Sequence, residues 1–405
     1  MTRPSPVRVY RVELEQFRAY AALELPVPAA GLRIVGPNGS GKSTLIEALL
    51  LLSTTRSRRG IQDSDLIRHE SGVELGVAPY ARILGEIDRG GVTVNLDVTL
   101  ENQLERSTIR KVLKVGDRPR RAVDVVGLLP TVAFSPEDLD LVLGSPPTRR
   151  RWLDVVISQT DRKYLRFLSR YGKILSQRNG LLKQGNNNGR APSASEFTYW
   201  DEQLTALGAY IIAARALALA RIAASATIRF ASLAPEVDPL QLEYQSPLNQ
   251  SPAWWHSLVS GQASADDVVQ RVGAVYESQM SESRTFDLAR GITQIGPHRD
   301  DVGLTLGGRP LTRFGSRGQQ RLAVVALKLA EADFMAAVTD LRPVFMLDDV
   351  LSELDPDHRK SLIRTVRENG SQIIVTATEG ALLEGDDLRD LGLAHLESLG
   401  ELILR

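Results

Sequence analysis

Residues 31–53, GLRIVGPNGSGKSTLIEALLLLS, constrain the fold more than any other stretch. Residues 32–35 form a short apolar run that reads as a buried strand. Gly36, Pro37, Asn38, Gly39, Ser40, Gly41, Lys42 and Ser43 follow and fit G-x-x-x-x-G-K-[ST], and residues 44–52 read as an apolar helix. Strand, glycine loop and helix make up the context that a phosphate-binding P-loop requires. Glycines let successive N–H groups curl around one anion, and the helix N-terminus adds partial positive charge at the same place. Lys42 is expected to reach the β- and γ-phosphates and Ser43 to ligate Mg²⁺, with Gly36 to Thr44 as the nucleotide cradle. The alternative is a glycine-rich turn before an ordinary helix. It would need the whole pattern to arise by chance between a strand and a helix, and it is rejected.

Composition bounds the rest. A chain of 405 residues holds two or three domains, or one large domain with an insertion. Acids and bases balance at 49 each, so a nucleic-acid partner must be held by a local basic patch and not by overall charge. The basic residues are mostly arginine, which suits phosphate recognition, although genomic codon bias accounts for the excess equally well. The absence of cysteine excludes disulfides and thiolate metal sites. The opening MTRPSPVRVYRVEL is polar and strand-like, unlike a secretory leader. The longest apolar stretch, residues 206–224, is interrupted by Arg215 and Arg221 and reads as a buried helix rather than a membrane span. A cytoplasmic protein is expected.

The first third is β-rich. Residues 7–14 alternate, and Val92, Val94, Leu96, Val98 and Leu100 alternate with polar residues as a half-buried antiparallel strand does, with 111–115 as a possible partner. Near Pro130 the pattern changes. Phe134-Ser135-Pro136-Glu137-Asp138-Leu139 reads as a capped turn into a helix, and the chain is helical from Arg149. Residues 185–195, GNNNGRAPSAS, have the composition of a flexible loop. Helices are expected over about 196–233 and 263–283, without sustained heptads, so the helices should form a compact lobe and no long coiled coil. Alternating sequence returns near residue 294, a helix opens after Ser316, and buried strands follow at 344–347 and 372–377. The expected organisation is a discontinuous nucleotide-binding lobe, 1–130 plus 291–405, with a helical lobe at 131–290.

Three further motifs bear on chemistry. Val344 to Asp349 is an apolar strand ending in two acids, the Walker B pattern, in which Asp348 would hold Mg²⁺ and Asp349 would orient or deprotonate the attacking water. Ser316-Arg317-Gly318-Gln319 opens a helix, and alone Ser316 reads as an N-cap. Ser352-Glu353-Leu354-Asp355 follows the Walker B acids. In this order the four motifs resemble the ATP-binding-cassette (ABC) class, an α/β P-loop NTPase head with a mixed sheet around the P-loop helix. The resemblance implies that Ser316, Gly318, Gln319 and Asp355 meet a nucleotide shared between two heads.

Within that class Phe17-Arg18, Ile67-Arg68-His69-Glu70, the Phe134 to Leu139 segment, Arg149-Arg150-Arg151, Gly296-Pro297-His298-Arg299-Asp300-Asp301 and the stretch 347–355 together resemble the RecF family of bacterial recombination-repair ATPases. The resemblance implies an SMC-like head with a short helical lobe, ATP and Mg²⁺ as ligands, an ATP-dependent homodimer, DNA binding, and cooperation with RecR and RecO in placing RecA on gapped DNA. Two other outcomes stay open, the ATPase subunit of a transporter and an SMC-like defence ATPase. The chain departs from the general cassette pattern. Gly315 stands where leucine is usual, Asp349 replaces glutamate, no clear counterpart of the Mg²⁺-sensing glutamine is seen, and Thr376 and Thr378 stand where a histidine is expected. These departures predict slow turnover. Arg56, Arg58 and Arg59, on a polar loop after the P-loop helix, are candidate DNA-phosphate contacts or a solvated turn, and Arg149 to Arg151 are candidates for bracing the two lobes.

Overall fold

The computed structural model describes residues 4–57, 61–72, 76–103, 108–188, 194–261, 263–398 and 401–404. The chain divides into two compact units, 1–139 with 321–405, and 140–320.

The first unit holds two sheets. One is antiparallel except at its edge strand Leu341–Arg342, and is built mainly from Ser5–Phe17, Tyr20–Pro26, Tyr80–Arg89, Thr93–Gln103 and Thr108–Val115, the last two paired as their alternation predicts. The other has the order Glu401–Leu404, Gly392–Ser398, Gly31–Val35, Ile373–Ala377, Val344–Asp348, Thr131–Phe134 and is parallel except at Glu401–Leu404. The helix Lys42–Thr54 packs against strands of both sheets. Leu45, Ile46, Ala48, Leu49, Leu51 and Leu52 are all buried, which explains its apolar run without a polar face. Gln372 ties the two sheets together. Its Oε1 accepts the Val9 N–H at 2.8 Å, and its Nε2 donates to Val9 O at 2.8 Å and to Pro28 O at 2.9 Å. Val9 sits where the first strand shifts register, so a side-chain amide satisfies a backbone that the ladder leaves unpaired.

The second unit is mainly helical, with Pro146–Thr160, Arg162–Asn188, Ala194–Leu233, Pro252–Val259 and Ala265–Arg290, and a small sheet in which Asp301–Leu306 lies between Leu240–Gln245 and Arg309–Pro310. Its interior is unusually charged. Arg178 is fully buried against Asp201 and Asp287, each at 2.7 Å, and Arg215 meets Asp154 at 2.8 Å and Asp300 at 2.9 Å. By length and composition Phe197–Leu233 could cross a membrane. Arg215 in its middle is buried and ion-paired within the unit, the setting of a core helix.

Several expectations are corrected. The changes of unit fall at Asp140 and Arg321, not at 131 and 291, the second because Asp301–Leu306 pairs with Leu240–Gln245 of the helical unit. Residues 185–188, expected in a loop, continue the helix Arg162–Asn188, while 189–193 lie outside the described residues. The helix Ala265–Arg290 runs past Ser283 to a left-handed Gly291, which takes the C-cap. Arg149 and Arg150 act inside the helical unit: Arg149 clasps Asp301 at 2.7 and 2.8 Å and donates to Gly144 O, and Arg150 donates to Asp300 O.

Candidate nucleotide site

The strand Gly31–Val35 delivers the loop 36–41 to the C-terminal edge of the parallel sheet, and the helix Lys42–Thr54 leaves from it. Gly39 and Gly41 have φ of 80° and 105°, backbone that L side chains rarely adopt. At Gly36 a Cβ would lie 2.6 Å from Leu396 O and 2.8 Å from Ser40 Oγ, so the loop closes only with glycine there. Pro37, Asn38 and Gly39 form the exposed rim, and Thr44 N–H donates to Gly41 O.

Lys42 is buried and donates to Gly36 O at 2.7 Å and Pro37 O at 2.8 Å, holding the loop around its ammonium. Burial lowers its pKa, and the nearby carboxylates of Asp349 and Asp348 oppose that shift. Ser43 donates its hydroxyl to Asp348 Oδ1 at 2.9 Å, across 305 residues of sequence, and Thr376 donates to the same oxygen at 2.9 Å. Asp349 follows in the left-handed region at φ 58°, and its N–H bonds Thr376 Oγ1 at 3.0 Å. Thus Lys42, Ser43, Asp348 and Asp349 gather at one edge of one sheet. Two buried oxygens there have no hydrogen-bond partner among the described residues, Ser40 Oγ and Asp349 Oδ1. A loop of turned-in backbone, a lysine, a hydroxyl beside a carboxylate, and acceptors awaiting a donor or a bound water fit a magnesium-bound triphosphate.

Neighbouring residues absent from the sequence-based site set this geometry. Tyr20 donates to Gly41 O at 3.2 Å, and Arg18 grips Glu47 on the P-loop helix at 3.0 and 3.2 Å. Arg18, Ser43, Thr44, Glu47, Asp65 and His69 border an open cleft of about 610 Å³ beside the loop. Phe17-Arg18 was visible as a motif, but its partner on the P-loop helix was not. On the other side Phe134 pairs with Leu347, so Ser135 to Asp138 leave the sheet next to Asp348. Asp138 takes the Ser135 N–H and binds the buried Lys328 at 3.0 Å, which anchors that turn.

The remaining predicted residues make local bonds of their own. Asp355 caps the helix Pro356–Glu368, with Oδ1 on the His358 N–H and Oδ2 on the His358 ring. Those bonds hold its carboxyl below its ordinary range. Ser316, Gly318 and Gln319 belong to the helical unit. Ser316 N–H donates to Gln319 Oε1 at 2.8 Å and Gln319 N–H to Ser316 Oγ at 3.2 Å, a reciprocal cap on the helix Arg317–Thr339. Arg56 is exposed, and Arg58 and Arg59 lie outside the described residues.

The family model for the RecF/RecN/SMC N terminal domain matches residues 8–391. A DNA replication and repair protein RecF from Thermomicrobium roseum is 43% identical over 388 residues, 96% of this chain and 98% of the relative. The RecF of Herpetosiphon aurantiacus is 38% identical over 378 residues, 92% of this chain and 93% of the relative. A solved structure of the recombination mediator protein RecF-ATPrS in the RecFOR pathway covers all of both chains with a TM-score of 0.84 at 27% identity. The Smc head domain of Pyrococcus furiosus, bound to the C-terminal domain of ScpA, shares the fold, with a TM-score of 0.53 at 16% identity over 98% of this chain and 96% of that one. The chain is therefore a member of the RecF family of DNA replication and repair proteins, built on the ABC-type head found in SMC proteins.

Proposed function

We propose that this chain is an ATP-gated DNA-binding protein of recombinational repair. It binds ATP with Mg²⁺ at the P-loop and pairs with a second copy when ATP is bound. The dimer engages duplex or gapped DNA in the cytoplasm and helps RecR and RecO load RecA. Slow hydrolysis, DNA-dependent in this reading, resets it. The observation that carries the proposal is the convergence of Ser43 and Thr376 on Asp348 Oδ1, beside a buried P-loop lysine.

Each residue then has a role. The N–H groups of Gly39, Gly41, Lys42 and Ser43, with the Lys42 ammonium, would bind the phosphates within the cradle of 36–44. Ser43 and Asp348 would hold the metal, which when bound would supply charge neutralisation at the phosphates. Asp349 orients the attacking water and takes its proton, a shorter base than the usual glutamate and so a slower one. Ser316, Gly318 and Gln319 present a capped helix start to the nucleotide of a partner copy. Arg56, with Arg58 and Arg59, is proposed to touch DNA phosphates without reading sequence.

The test is DNA binding by the purified chain with ATP and without it, on duplex, single strand and gapped junction, alongside Lys42→Ala. ATP should raise affinity for at least one DNA form, and Lys42→Ala should lose nucleotide binding and that response together. Equal ATP affinity in parent and Lys42→Ala would remove the proposed role of the loop.

A further inference from the structure

The helices Ala194–Leu233 and Ala265–Arg290 run side by side in opposite directions, since Asp201 meets Arg284 while Ala209 meets Gly273. Between them lies an open groove of about 710 Å³. It spans residues 198–209 on one helix and 269–284 on the other, about 17 and about 23 Å at the rise of an α-helix. Ala206, Ala209, Gly273 and Ala274 line it with small side chains; the helices touch at Ala209 and Gly273, where a Cβ on the glycine would lie 3.6 Å from Ala209 Cβ, and Ala206 and Ala274 stay exposed beside that contact.

The charge on the groove is one-sided. Asp201, Glu202 and Glu277 line it against Arg284 alone. Both oxygens of Asp201 are already committed, one to Arg178 Nε and one to Arg284, each at 2.7 Å. Arg178 is in turn ion-paired to Asp287 at 2.7 Å. Besides the Asp201-paired Arg284, a ligand meets the charges of Glu202 and Glu277, which are both exposed. Such a rim repels phosphate, which disfavours nucleic acid. It suits a helix that lays apolar residues onto the small side chains and sets cations beside the two glutamates.

We infer that the groove between Ala194–Leu233 and Ala265–Arg290 is a docking site for an amphipathic, basic-flanked helix of a partner protein, three to four turns long. The inference does not depend on nucleotide binding or on the homodimer.

Because the chain has no cysteine, Ser281→Cys carrying an environment-sensitive fluorophore at one end of the groove reports on its occupancy. The probe is an amidated synthetic helix of about 16 residues with a leucine stripe at three- and four-residue steps and flanking lysines. The control carries glutamate in place of each lysine. The lysine peptide should bind roughly tenfold or more tighter than the control, and Glu202→Lys with Glu277→Lys should reverse the preference. Ala206→Trp, at an exposed groove position, should abolish binding while unfolding temperature and ATP affinity stay at parental values. Equal affinity for the two peptides, or no change on charge reversal, overturns the proposal. Concentration-dependent self-association that Ala206→Trp removes would assign the groove to a second copy and overturn it as well.

Discussion

Thr376 places its hydroxyl on Asp348 Oδ1 at 2.9 Å and takes the Asp349 N–H at 3.0 Å, so one buried side chain holds both acids that end the strand Val344–Asp348. Removing the hydroxyl without changing shape isolates that role. Thr376→Val should lose about 1 kcal/mol of stability. It should bind ATP nearly as the parent does and, if Asp348 holds the metal as proposed, turn it over roughly 10- to 100-fold more slowly. Thr376→Ser should restore most of the rate. Steady-state kinetics of the three proteins decide this, and a parental rate in Thr376→Val would mean that Ser43 alone suffices to set Asp348.

Arg18 acts on the other side of the loop. It stands at φ 54° in the turn between the first two strands and clasps Glu47, whose side chain is 6% exposed. Arg18→Ala would leave that carboxylate buried without its cation, at a cost of about 2 kcal/mol. Arg18→Ala with Glu47→Ala should recover part of the loss, because the stranded charge is gone. Urea unfolding of both single variants and the double variant measures the coupling, and strict additivity would mean the pair contributes nothing specific.

Contiguity explains what could be read from one sequence. The P-loop is eight adjacent residues with a strand before it and a helix after it, so its chemistry and context are local. The acids Asp348 and Asp349 are also legible, because an apolar strand precedes them. Thr376 is different. It shows only as a residue where a histidine is usual, and its bond to Asp348 exists because two strands 28 residues apart are neighbours in the parallel sheet. Gln372 is harder still, since its partner Val9 is 363 residues away. The unit boundary went astray for the same reason. Alternation at 302–306 announces a strand but not its partner, and the partner proved to be Leu240–Gln245.

His298 gives a pH prediction. Its ring lies between the Tyr171 hydroxyl at 2.8 Å and Thr293 O at 3.0 Å, and burial holds its pKa down at about 4, against 6.5 when exposed. Arg299, Arg150 and Arg215 push it the same way. Between these values the unfolded chain takes up a proton that the folded chain refuses, so His298 favours folding less and less as pH falls below 6.5. The loss should reach about 2 kcal/mol near about pH 5. His298→Gln keeps a polar group but cannot titrate. The stability difference between parent and variant should be widest near about pH 7 and should shrink toward about pH 5. A difference that stays constant with pH would show that His298 is protonated alike in both states.

The last prediction concerns the second copy. Ser316 opens the helix Arg317–Thr339, and its reciprocal bonds with Gln319 leave the segment exposed with the N–H groups of a helix start. It belongs to a different compact unit from Lys42. If that helix start meets the γ-phosphate of a partner copy, ATP binds the dimer more tightly than the monomer, and by linkage ATP drives association. Two equivalent composite sites then form about a two-fold axis. Ser316→Arg would put a long side chain where the partner's phosphate belongs. The variant should bind ATP as a monomer, fail to dimerise, and hydrolyse ATP hardly at all. Gly318→Ala tests the same surface more gently, since nothing but Ser316 Oγ, at 3.9 Å, lies near a Cβ placed there. It should fold normally and weaken the dimer only if another molecule packs onto it. Sedimentation of parent and variants with ATP and with ADP separates the cases. A parent that stays monomeric with ATP at micromolar concentration, or a Ser316→Arg protein that dimerises as the parent does, would defeat the shared-site arrangement.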